Sequence, residues 1–166
     1  MTSTSPSTHK TLPPELHALV QTATDVLSTL PASDPPRLTD HTVASAALAA
    51  DGRVFTGINM FHFAGGPCAE NVAVGNAIAG GISSMYSPPS PNAPKVLLEA
   101  IVAVASQGRG VISPCGRCRQ LLMDYWPAIK VLVQDEDGIL RCLEIKELLP
   151  FAYVPKAFTR KDVVVG

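Results

Sequence analysis

Apolar residues recur along this chain with two different periods, and the switches between them predict its elements. Leu16, Leu19, Val20, Ala23, Leu27 and Leu30 repeat at helical spacing behind Pro13–Pro14, which the first turn of a helix accepts, and Pro31 ends the run. Residues 42–50 are small and apolar, Asp51–Gly52 is a two-residue turn signal, and Arg53–Ile58 returns, which predicts a β-hairpin. The Ala/Ser-rich first strand of that hairpin permits helices to approach closely. A helix is expected from Cys68 to Ala79, ended by Gly80–Gly81. The run 96–105, VLLEAIVAVA, is too continuously apolar to be solvated and predicts a buried central strand. Residues 106–113 read as a loop. A helix then runs from Cys115 to Tyr125, strands cover Ile129–Val133 and Ile139–Leu143 around the turn 135–138, and a short helix lies near Glu144–Leu149.

That order implies a five-stranded mixed sheet with helices on both faces. The last two strands are joined too tightly for a parallel crossover and should be antiparallel neighbours. Residues 1–12, rich in Ser, Thr and Pro, read as a disordered tail, 13–158 as one domain and 159–166 as a C-terminal tail; 31–41 read as a loop and 86–94 as a Pro/Ser-rich excursion.

Composition narrows the function. A chain of 166 residues suits a single domain, and at that size about 70% of the unfolded surface is buried, so folding needs no disulfides. Charged residues make up only 16% against 46% hydrophobic, which leaves apolar surface for subunit contacts. The net charge of −1 gives no basic excess to hold a long nucleic acid. No apolar run is long enough to span a membrane, and the polar start MTSTSPSTHK carries no secretory leader, so a cytoplasmic protein with reduced cysteines is expected.

The cysteines then need a chemical reason. Pro67-Cys68-Ala69-Glu70 and Pro114-Cys115-Gly116-Arg117-Cys118 each open a helix. Cys115 and Cys118, three apart, share one face of a first turn, a spacing that suits two thiolates on one ion. Helix N-termini favour the thiolate form, and Cys68 can add a third ligand. Three protein ligands leave a tetrahedral zinc one open position, the pattern of a catalytic site. Glu70 lies too far round its helix to join the ligands comfortably, but it is suited to take a proton from a water in that position and pass it to a leaving nitrogen. Three thiolates on one dication leave a net negative charge, which two helix N-termini of roughly +0.5 each offset. Arg117, between two of the cysteines, is expected to withdraw charge from a sulfur by hydrogen bonding, with Arg119 as the rival. Two other readings stand beside this one: a redox-active Cys-x-x-Cys pair, and a closed structural zinc site with Cys142 or His62 as fourth ligand. Cys142 is itself expected to be a buried strand residue.

The C-x-E and P-C-x-x-C motifs resemble the zinc-dependent cytidine deaminase family. Within it, residues 43–48, Asp51-Gly52-Arg53, Phe55-Thr56-Gly57, His62-Phe63, Gly65–Glu70, Ser113–Gln120, Glu147–Pro150 and Tyr153-Val154 are most similar to the blasticidin S deaminases. The likeness runs over 13–155 with a break at 82–95. It implies a three-layer α/β/α sandwich, one Zn²⁺ per subunit on Cys68, Cys115 and Cys118, and Glu70 as proton shuttle. It also implies substrate contacts at Thr42, Arg109 and Tyr153, Asn59 on the sugar, and a homotetramer. Arg109 independently falls in a loop leaving the carboxyl end of the central strand, where open α/β sheets bind ligands. Phe61 stands where cytidine deaminases carry a glutamate, the 59–68 stretch is short, Thr42 occupies a serine position, and Pro155–Phe158 lacks an expected tryptophan. The implied activity is hydrolytic deamination of blasticidin S or a related aminoacylated cytosine nucleoside. The alternatives are cytidine or deoxycytidine salvage and, from another class, a non-catalytic zinc-stabilised interaction protein.

Overall fold

The buried run read from the sequence forms the strand on which the fold is built, β3 (Leu98–Ala105). One edge of β3 pairs antiparallel with β1 (Val43–Ala49), which pairs antiparallel with β2 (Val54–Ile58) across the Asp51–Gly52 turn. The other edge is shared. Residues Ala100–Val102 pair in parallel with β5 (Lys130–Gln134), whereas Ala103–Ala105 pair antiparallel with a short β4 (Gly110–Ile112). β6 (Leu140–Glu144) closes the sheet antiparallel to β5, as the short connection between them demands. The structure, a computed structural model, describes residues 12–30, 41–85 and 95–154. The tail calls at 1–12 (all but Leu12) and 159–166, the 31–40 loop, the 86–94 excursion and the 155–158 end of the expected domain lie outside the described residues.

Among the described residues the sheet therefore has six strands where five were expected. The unexpected one, β4, has three residues, too few for any period; the turn before it holds Gln107 and Gly108 at positive φ, and its own first residue, Gly110, is at positive φ as well. Glycine tolerates that region, but Gln107 does not announce it.

Period-two alternation sorts the sheet's side chains onto two faces. Ala46, Ala100, Val102, Val104 and Leu132 face α1 (Pro14–Ser28), which buries Leu16, Leu19 and Ala23 against them. Ala47, Ile101, Val131 and Val133 face the opposite way, under α2 (Ala69–Ala79), α3 (Gly116–Tyr125) and the one-turn α4 (Ile145–Leu148), with Ala73, Ala77, Leu122, Trp126 and Ile145 filling that layer. The result is the expected three-layer sandwich. Ser45, fully buried in β1, donates to the Val102 carbonyl at 2.8 Å, so its hydroxyl costs the core no unpaired polar group.

Small residues set the spacing of α2 above the sheet. Gly57 on β2 lies under the first turns of α2: a Cβ there would stand 2.5 Å from the Ala69 carbonyl oxygen and would overlap the Ala73 nitrogen. Those obstacles are backbone atoms, so no side-chain rotation relieves them. Gly57→Ala is expected to destabilise the fold by about 1–3 kcal/mol, the usual range for overpacking. In thermal melting this is a fall of about 2–4 °C for each kcal/mol; an unchanged Tm would mean that α2 lifts freely from the sheet.

Candidate active site

Two helices begin beside one another. Cys68 is the N-cap of α2 and Cys115 the N-cap of α3, both with extended backbone, at ψ 157° and 169°. Each follows a proline, which cannot donate to the preceding structure and leaves the chain extended into the cap. The third sulfur comes from Cys118, one turn into α3 and fully buried. Cys68 Sγ lies 3.7 Å from Cys115 Sγ, and Cys115 Sγ lies 3.5 Å from Cys118 Sγ. These distances exclude a disulfide and approach the roughly 3.8 Å that separates sulfurs held at 2.3 Å around a tetrahedral zinc. The three donors, all within 4.8 Å of one another, fit that ion. Among the described residues no fourth His, Cys, Asp or Glu joins them. Cys142 packs instead beneath the α1 face of the sheet, and His62 Nδ1 accepts from the Ala64 N–H within its own loop. Neither supplies the closing ligand that a structural zinc site requires.

Electrostatics rank the three thiols. Burial opposes ionisation of Cys115, but the N–H groups of Cys118 and Arg117 and the neighbouring thiols outweigh it and lower its pKa. Burial raises that of Cys68, and burial together with the Glu70 charge pushes Cys118 far up. Cys115 is thus the first thiolate, favoured by the start of its own helix. Glu70, in the first turn of α2, is only 5% exposed. Burial raises its pKa, against the opposing hydrogen bonds of its own N–H and the Cys118 thiol.

Of the remaining expected residues, Thr42, Asn59 and Arg109 lie on the loops at the carboxyl end of β3. Asn59 Oδ1 accepts from the Thr42 and Val43 N–H groups, both at 2.8 Å, bracing the start of β1. The next residue, Met60, donates to the Pro67 carbonyl and so draws this brace towards Cys68. Arg109 is exposed and folds back on its own turn, with Nε on the Ser106 carbonyl at 3.1 Å and Nη2 at 3.5 Å from the carbonyl of Thr42. Tyr153 exposes its ring, while its backbone is bound on both sides by Gln120: its N–H donates to Oε1 at 3.0 Å and its carbonyl accepts from Nε2 at 2.8 Å. Arg117 does not donate to a sulfur through its guanidinium as expected. It reaches Asn71 on α2, with Nε at 3.0 Å and Nη2 at 2.7 Å from the side-chain oxygen. Arg119, the rival, ties the Pro114 carbonyl to the Leu148 carbonyl at the end of α4 and plays no part at the sulfurs. Asn71 and Gln120 escaped the sequence reading. No motif distinguishes a helical amide that crosses to another element from one that is merely solvated.

No family model matches the chain. Its sequence is 30% identical to the blasticidin-S deaminase of Bacillus cereus over 122 residues, 68% of this chain and 77% of that protein. It is 32% identical to a cytidine deaminase of Mycobacterium tuberculosis over 111 residues, 67% of this chain and 71% of that one. The chain belongs to the cytidine deaminase family. The 1.6 Å crystal structure of cytidine deaminase from Burkholderia pseudomallei superposes on this deaminase with a TM-score of 0.62, at 28% identity, covering 82% of this chain and 98% of that one. The cysteine group agrees with the family's dependence on zinc. No helix among the described residues is long and apolar enough to cross a membrane.

The burial of Glu70 has a measurable cost. Its folded pKa is raised, so between the ordinary carboxylate value and the raised one the folded deaminase holds a proton that the unfolded chain has lost. Stability therefore falls as pH rises through that window. In metal-stripped protein, Glu70→Gln is expected to melt above wild type at pH 7. The advantage should vanish below about pH 4, where the carboxyl is protonated in both states. A variant that melts below wild type at pH 7 would show that the carboxylate is stabilised where it lies.

Proposed function

We propose that this protein is a zinc-dependent hydrolase that deaminates a cytosine nucleoside, with blasticidin S or a related aminoacylated cytosine nucleoside as preferred substrate. The observation that carries the reading is a buried carboxylate, Glu70, two residues after Cys68 of a three-cysteine group that no fourth protein donor closes among the described residues. Zinc held by Cys68, Cys115 and Cys118 would lower the pKa of a water in its open position and so supply a nucleophile at neutral pH. Glu70, its pKa raised by burial, takes one proton from the incoming water and delivers it to the ring nitrogen; it then takes a second from the hydroxyl so added to the ring and delivers that to the departing amine. Ammonia leaves and a uracil-type product remains.

Thr42, Asn59, Arg109 and Tyr153 form the substrate side of this reading. Asn59 spends its oxygen on two backbone N–H groups, which fixes its side chain at the start of β1, beside the proposed sugar position. Arg109 uses one edge of its guanidinium on the Ser106 and Thr42 carbonyls, which fixes the fork and turns its other donors to a carboxylate. Blasticidin S carries a carboxylate on its sugar and cytidine does not. Phe61, 61% exposed, offers no acceptor to a ribose hydroxyl. The chain would then act in the cytoplasm in resistance to such an antibiotic. Apolar side chains left exposed on two segments, Met60, Phe61 and Phe63 together with Phe151, Tyr153 and Val154, support assembly into a homotetramer.

Pyrimidine salvage on cytidine or deoxycytidine is the second reading, favoured by matches to cytidine deaminases as similar in identity as the match to the blasticidin enzyme. Purified protein incubated with cytidine, deoxycytidine, cytosine and blasticidin S, followed by ultraviolet absorbance, separates the two. The expected outcome is a higher kcat/KM for blasticidin S than for cytidine. Arg109→Ala should lower it for the acidic substrate by about 10- to 100-fold, the worth of a hydrogen bond to a charged group, and leave cytidine nearly untouched. A wild type that favours cytidine, with a ratio that the mutation does not move, selects salvage. Glu70→Gln should keep its zinc while losing about 10²–10⁴ of the rate on every substrate; no turnover by wild type on any of the four would leave the non-catalytic reading.

A further inference from the structure

The side chain of Asn71 lies between the Arg117 guanidinium and the Cys118 sulfur, two groups on α3 that it reaches from the first turn of α2. Its orientation is set by what each neighbour can do. Arg117 only donates, so the amide oxygen faces it, with Nε at 3.0 Å and Nη2 at 2.7 Å. The amide nitrogen is then the atom 3.5 Å from Cys118 Sγ. A ligand thiolate only accepts. A carboxamide carries both an acceptor and a donor, and therefore joins a guanidinium to a thiolate that have no other common language. Cys118 is also the fully buried sulfur of the three.

We propose that Asn71 is a positioning residue that passes the positive charge of Arg117 to the Cys118 thiolate, offsetting the excess negative charge of a three-thiolate site. The proposal rests on the reading of Cys68, Cys115 and Cys118 as zinc ligands. It assigns Arg117 an indirect route to the metal centre and predicts that the two residues act as one unit. Removing either should break the same link, so their effects should not add.

The test measures the full-length protein in two ways: zinc affinity by competition with a chelator, and the sulfur-to-metal charge-transfer band after cobalt substitution. Asn71→Leu and Arg117→Ala are each expected to weaken zinc by about 10- to 100-fold, the usual effect of losing an outer partner of a ligand. The double variant should be no weaker than the weaker single. Both should move the cobalt band to longer wavelength, because a sulfur relieved of a hydrogen bond gives up its electron more readily. Asn71→Asp, nearly identical in shape, guards against a folding failure: it keeps the acceptor for Arg117 but replaces the donor at Cys118 with an oxygen, and should show the same loss and the same shift. Multiplying losses in the double variant, or an Asn71→Asp protein with wild-type affinity and spectrum, would overturn the proposal. A wild type that takes up neither zinc nor cobalt through its thiols fails differently: it removes the metal reading itself and this proposal with it.

Discussion

Two helix N-termini meet at one point, and the rest of the site depends on how that meeting is tolerated. Each start presents unpaired N–H groups and a partial positive charge, so α2 and α3 would repel if nothing anionic lay between them. The cysteine caps put sulfur there, and the helix starts in turn favour the thiolates. Neither half is comfortable without the other. Glu70 adds a further negative group at the same pole, where burial works against its ionisation. The approach also needs α2 to lie low on the sheet, which the absence of a side chain at Gly57 permits.

How much of this is visible in the sequence follows from how local each signal is. The hairpin, the central strand and the antiparallel last pair were legible because apolar runs and Gly-containing turns are contiguous in the chain. The three cysteines and Glu70 were legible because a first helical turn brings residues two and three apart into one neighbourhood, and the structure brings all four together. β4 was not legible: it is three residues long and is reached through a left-handed Gln107. The reach of Arg117 was misjudged for the same reason. Sequence spacing places it beside the cysteines, but its partner, Asn71, stands on a helix 46 positions earlier. Packing between elements decides such contacts, and no short window contains them.

Several polar side chains around the site spend their hydrogen bonds on backbone. Asn59 holds the start of β1, Arg109 its own turn and Thr42, and Arg119 the entry to α3 against the end of α4. These braces satisfy carbonyl and N–H groups that loops otherwise leave to water. They also pre-order the rim at the end of β3, which leaves less conformational entropy there for the proposed substrate to remove. A residue type that reads from the sequence as a substrate contact can therefore be part of the scaffold at the same time.

The bond between Gln120 and Tyr153 is indifferent to what residue 153 is. The carboxamide pairs with the main-chain N–H and carbonyl, as a neighbouring strand would, and leaves the phenol ring outside. Position 153 can therefore exchange its side chain over generations while the path of the chain past α3 is inherited unchanged. On the proposed substrate role of Tyr153, a lineage moving from one nucleoside to another could vary this residue one substitution at a time, without first having to rebuild the loop that carries it.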